Sequence, residues 1–155
     1  MAKFFKTDAD ILELAHKKFE ETGLPQMGIN LKVISITKAK EVVKVNKASA
    51  TTQFLSKDTD IIMVVYEEAL DRLPDDFKEK LIEGSLSSVS YDTEKDRLVL
   101  DNAPYSEVFR MRKKYTDYVD ILEASSIVIA QIAEEEKERK EMEREAKKNK
   151  KKQQA

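Results

Sequence analysis

The chain reads as an α+β protein. Three observations predict this. Apolar residues recur at spacings of three and four in segments near both ends. Between them lie runs rich in β-branched residues, one of them continuously apolar. Turn-forming residues separate these segments. The expected architecture is an N-terminal helix, a three- to four-stranded sheet, a central helix packed on it, and one or two C-terminal helices. A length of 155 residues suits one domain with some extra chain.

Residues 8–22 predict the first helix. Thr7 or Asp8 is placed to cap it, Ile11, Leu14, Ala15 and Phe19 form its stripe, and Gly23 is placed to end it. Gly23, Pro25 and Gly28 mark a loop. Residues 29–37 (INLKVISIT) predict a strand. After a turn at Lys38-Ala39-Lys40, residues 41–47 predict a second, with Val43 and Val45 on one face. Residues 51–60 carry no clear signal. Residues 60–66 (DIIMVVY) predict a strand buried on both faces or nearly so.

Pro74, Asp75 and Asp76 suit the start of the central helix, whose buried stripe is Phe77, Leu81, Leu86 and Val89 and whose end is expected near Tyr91-Asp92. Leu98–Leu100 predicts a short strand after the turn at Glu94-Lys95-Asp96. Pro104 opens a further helix with Val108, Phe109 and Met111. From Tyr118 on, Leu122, Ser125, Ile129 and Ile132 keep helical spacing. Residues 1–133 therefore form the domain. Residues 134–155 form a charged helical or disordered tail, in which Met142 is the only apolar residue larger than alanine. Pairs four apart, Glu136 with Lys140 and Glu143 with Lys147, favour an exposed helix that frays toward its end.

Charged residues make up 37% of the chain, against roughly 25% in ordinary globular proteins. The tail holds 9 basic and 7 acidic residues of the 28 and 30 in the whole chain, leaving 19 and 23 in the body. A formal net charge of −2 points to neither nucleic acid nor membrane as a bulk partner. No apolar run reaches the ~20 residues that span a bilayer. Met1-Ala2-Lys3-Phe4-Phe5-Lys6 has no apolar stretch of signal-peptide length. The expectation is a cytoplasmic protein without a membrane partner.

There is one histidine, His16, and no cysteine. Catalytic zinc usually takes two or three imidazoles, so one subunit cannot build such a site, and thiolate chemistry is excluded by the same count. No metal and no cofactor are expected. His16, between Ala15 and Lys17 on the first helix, reads as a packing or surface residue.

Residues 60–115 nevertheless carry an ordered set of words. DIIMVVY is followed by Leu73-Pro74-Asp75-Asp76, then FKEKLIEGSLSSVSYD, then TEKDRLVL, then a link into SEVFRMRKKY. In this order and spacing the segment resembles a phage family named for metallopeptidase activity, small relatives of the zincins. The resemblance implies a small zincin-like domain. In that family the helix carries His-Glu-x-x-His shortly before Tyr-Asp, with a third ligand near the later link. Residues four apart share a helical face, so two imidazoles grip one zinc and the glutamate deprotonates its water. Aligned on Tyr91-Asp92, those positions hold Gly84, Ser85 and Ser88, and the link Asn102-Ala103-Pro104 supplies no histidine. The resemblance thus implies the fold while the residues argue against the reaction, so the reading leans away from an enzyme.

Other chemistry is weaker. Gly84, Ser85, Ser87, Ser88 and Ser90 let the helix pack closely against a neighbour. A serine nucleophile would need a base, and Lys78 and Lys80 belong to the solvated side of the helix. The paired acids Glu67-Glu68, Asp75-Asp76 and Glu134 to Glu136 lack a calcium-loop pattern and read as solvated surface. Tyr105, Tyr115 and Tyr118 with Arg110, Arg112, Lys113 and Lys114 form an aromatic and basic cluster of the kind that stacks bases and contacts phosphates, or equally the polar side of an amphipathic helix. Lys147, Lys148, Lys150, Lys151 and Lys152 add a basic patch suited to weak, salt-sensitive nucleic-acid contacts.

The functional expectation is a non-catalytic, phage-like zincin relative, a pseudoenzyme that binds another macromolecule, in the first place a protein. The alternatives are a nucleic-acid-associated protein using the 105–118 cluster and the lysines, or an assembly protein docked on a virion, which would place it there rather than in the host cytoplasm.

Overall fold

The computed structural model describes residues 2–56, 58–101 and 103–154, and the fold is α+β. Strands β1 (Phe4–Phe5), β2 (Leu31–Ile36), β3 (Val43–Lys47) and β4 (Ile61–Val65) form one sheet in the order β1-β2-β4-β3. The β2/β4 pair is parallel and the other two are antiparallel. Alternation along the strands decides which face is covered. Leu31, Ser35, Ile61, Met63, Val65, Val43 and Val45 share the buried face. Ile62 and Val64 on the other face are only half-buried, so β4 is less enclosed than its composition predicts.

Helix α1 (Ala9–Glu21) begins where the Asp8 carboxylate accepts from the Asp10 N–H at 3.3 Å. Just past its last turn Gly23 sits at φ 80°, a left-handed conformation that glycine takes without a Cβ penalty. Ile11, Ala15 and Phe19 face the core. A turn of 3-10 helix, Leu24–Met27, leads to β2. Three short elements carried too little pattern to be read in advance: β1, α2 (Ala50–Leu55) and α3 (Glu67–Asp71). Lys57, in the stretch without signal, lies outside the described residues. The acids Glu67 and Glu68 occupy the first turn of α3, and Glu67 Oε1 accepts from the Asp8 N–H at 2.6 Å.

The central helix α4 (Asp75–Leu86) packs on α1 and β3 and ends a turn and a half earlier than its pattern predicts. Val89–Asp92 is instead strand β5, paired antiparallel with β6 (Arg97–Leu100). The reason is local. Ser87 and Ser88 turn their hydroxyls back onto the carbonyls of Gly84 and Ser85, which competes with helix propagation. Val89 and Tyr91 then find partners in Leu100 and Leu98 on a single face.

Helix α5 (Pro104–Lys114) turns into α6 (Tyr118–Gln153), one continuous helix of 36 residues, about 54 Å long. Its buried residues are Tyr118, Ile121, Ser125, Val128 and Ile132, so packing stops where the sequence pattern stops. Past that point Arg72 makes a two-pronged pair with Glu135 at 3.0 and 2.7 Å, and Glu136 reaches Lys140 at 3.2 Å. From Glu141 to Gln154 every residue is exposed, and the helix runs to Gln153. Among the described residues no helix is long and apolar enough to cross a membrane.

Candidate functional site

Helix α4, the β3 edge, α5 and the start of α6 enclose a cavity of about 410 Å³. Leu81 and Ser85 of α4 line it, with Ser88 just past the helix end rather than on the helix as its spacing predicts. Tyr118, Leu122, Ser125 and Ile129 bring the matching stripe of α6, and Glu107 and Val108 come from α5. The third wall is strand. Val42 O accepts from the Tyr66 N–H, and the Ala48 N–H donates to Asp60 O. Antiparallel pairing alternates, so the main-chain groups of Val43, Val45 and Lys47 point away from β4, on the side where α4 and β6 adjoin β3.

Ser85 and Ser88 meet on the cavity wall, with Gly84 beside them in α4, but they hold no catalytic geometry. Ser85 Oγ donates to Val43 O at 3.2 Å, fastening α4 to β3. Ser88 Oγ donates to Ser85 O at 2.7 Å. Gly84 is a place of close approach. A Cβ there would lie 2.7 Å from Tyr118 Cζ and nearer still to its hydroxyl oxygen. The Tyr118 ring, 1% exposed, thus fills the space that any side chain at position 84 would need. A zinc ion does not fit these residues: one position has no side chain, its space is taken by a phenol, and both serine hydroxyls donate to carbonyls. Of the later link, Asn102 lies outside the described residues and Ala103 lines the cavity. His16 is exposed on α1, beside Leu12 at a separate surface hollow. Among the described residues no group of three or more His, Asp or Glu is arranged to hold a metal.

Glu107 was not singled out by sequence, yet it places a half-buried carboxyl on the cavity wall. Burial pushes its carboxyl above the usual range and the charge of Glu41 adds to that, while Arg110 and the Tyr118 hydroxyl pull the other way. Tyr118 is in turn pushed up strongly by burial and by Glu107. Among the described residues Glu107 makes no ion pair. No local pattern announces it, because its environment comes from β3 and α6.

The aromatic and basic cluster is divided by the fold. Arg110 donates from Nε to Ser87 Oγ and from Nη1 to Asp101 Oδ2, both at 3.2 Å. The Asp101 carboxyl is held below its usual range first by the Ala103 N–H, then by Ser106 and Arg110. Lys114 pairs with Glu83. The Tyr115 ring lies under Lys80 at 4.8 Å and Lys114 at 5.4 Å. These groups tie α5 and the α5–α6 corner to α4. Left on the surface are Tyr105, Arg112 and Lys113, joined by Phe109, whose ring Lys113 covers at 4.4 Å. The exposed lysines Lys147, Lys148, Lys150, Lys151 and Lys152 are carried at the far end of α6, about 44–51 Å along the helix from Tyr118.

Comparison of the chain with protein-family models, with curated proteins and with solved structures finds no match.

Proposed function

We propose that this protein is a non-catalytic, zincin-like protein of phage type that works by binding another macromolecule, most directly an extended segment of a protein laid along the β3 edge. The observation that carries the reading is the Gly84–Tyr118 contact. The position that would supply the first zinc ligand is filled by a neighbouring ring, while the cleft beside it stays open. Outward main-chain groups on an edge strand, here those of Val45 and Lys47 beside the already bonded Val43 carbonyl, are a means of holding an extended chain, with side chains entering the adjoining pocket. On this reading the protein works in a host cytoplasm or on a virion, without a cofactor.

Metal analysis and peptidase assay of tag-free protein test it. The expected result is zinc far below one equivalent and no chelator-sensitive hydrolysis; stoichiometric zinc with such hydrolysis overturns it. A photo-reactive residue placed at Lys44, on the edge strand that lines the cleft, should cross-link a polypeptide partner, and one placed at Lys32, on the inner strand β2 beside a separate hollow, should not.

A second reading rests on the exposed Tyr105, Phe109, Arg112 and Lys113 of α5 together with the lysine end of α6. These would serve a nucleic acid, by stacking and by phosphate contact. Titration with DNA and RNA at two salt concentrations separates the readings. Salt-sensitive binding that disappears when residues 134–155 are removed assigns it to the tail; absence of binding at low salt dismisses it. Sedimentation tests the assembly alternative by its prediction of self-association.

A further inference from the structure

We infer that the cavity between β3, α4, α5 and α6 receives a lysine or arginine side chain of the bound polypeptide, with the Glu107 carboxylate as its counter-charge. This rests on the reading that the β3 edge holds an extended protein segment.

The hydrogen-bonding inventory of the walls leads there. The interior side-chain hydroxyls already use their protons. Ser85 donates to Val43 O, Ser88 to Ser85 O, and Ser125 to Leu122 O. The Tyr118 hydroxyl faces the Glu107 carboxylate. A hydroxyl that has donated its proton still accepts, and an ionised carboxylate only accepts. The interior is therefore rich in acceptors and poor in side-chain donors. A polar side-chain end entering it finds partners for donors and few for acceptors. Ammonium and guanidinium groups bring donors and no acceptor.

Charge and shape agree. Glu107 is half-buried and without an ion pair among the described residues, and the charge of Glu41 at the rim works on it in the same sense. Asp101 is already engaged by Arg110. Lys40 and Lys44 stand exposed at the outer rim. Val43, Val45, Leu81, Leu122 and Ile129 supply apolar walls for the methylene stem of a long basic side chain, whose head then reaches the carboxylate. The volume is within the range that holds a side chain with part of its backbone.

The test uses the full chain and five capped pentapeptides, Ala-Ala-X-Ala-Ala, with X arginine, lysine, norleucine, citrulline or glutamate. Backbone amide shifts are followed during titration. The arginine and lysine peptides should perturb Val43, Val45, Ser85, Glu107 and Tyr118, and bind about tenfold or more tightly than the norleucine and citrulline peptides. Glu107→Gln should bring them down to the norleucine level, with its amide spectrum otherwise that of the folded protein. Glu41→Gln, at the exposed rim, should weaken them less. If the norleucine peptide binds the cavity as tightly as the arginine one, the preference for a cation is overturned while the polypeptide site stands. If peptides perturb no cavity residue, both the inference and the β3 docking reading fall.

Discussion

At the scale of single residues, Gly84 and Tyr118 are one feature seen from two helices. Glycine in a helix interior costs up to about 1 kcal/mol relative to alanine, so its presence in α4 needs a reason, and the Tyr118 ring supplies it. Gly84→Ala should destabilise the protein by about 1–3 kcal/mol in urea unfolding, the range for overpacking a filled core. Tyr118→Phe removes the nearest atom and should recover part of that loss, so the two changes are non-additive in a double-mutant cycle. Glu107 gives a pH signature. Burial raises its carboxyl above the usual range, so the folded chain holds that proton more tightly than the unfolded chain. Its contribution to stability is complete below the ordinary carboxylate pKa and is lost as pH rises through the raised value. Glu107→Gln should therefore gain on the parent protein as pH goes from acid to neutral, measured by unfolding at a series of pH values.

Among the elements, the bond from Ser85 to the Val43 carbonyl fastens helix to strand. Ser85→Ala should cost about 1 kcal/mol, and more if the carbonyl is left dry, read from the urea midpoint. It should not move any activity, because the hydroxyl is a tie. The helices α1, α4 and the packed part of α6, and strands β2, β3 and β4, were legible from spacing and composition, because each buries a regular stripe against a neighbour; α5, which buries Met111 but leaves Phe109 exposed, was legible from Pro104 at its start. Two limits of such reading are equally physical. The end of α4 was misplaced because Val89 and Tyr91 fit both a helical and an alternating pattern. The partners Leu100 and Leu98 decided between them. The elements β1, α2 and α3 have two to six residues, too few for a period to show. Sequence put Gly84, Ser85 and Ser88 on one helix; Ser88 lies just past its end, and what fills the space over Gly84 comes from a residue 34 positions away.

The whole molecule divides at the last turns of α6 that touch the body. Among the described residues Ile132 is the final buried residue of that helix, and Glu135 and Glu136 make its last ion pairs to the body, with Arg72 and Lys38. Removing residues 141–155 should leave the thermal midpoint unchanged while lowering the helical ellipticity in far-ultraviolet circular dichroism. Removing residues 129–155 takes away Ile132 and the pairing to α3, and should lower the midpoint. The same test bears on the segment that sequence could leave only as helical or disordered, since no burial pattern was available to decide.

The close fit between α4 and α6 also bears on descent. A histidine at position 84 has nowhere to go while a phenol stands over it, and a small residue at 118 leaves a hole while glycine faces it. Neither single step is tolerated well, so the two positions are free to vary only together.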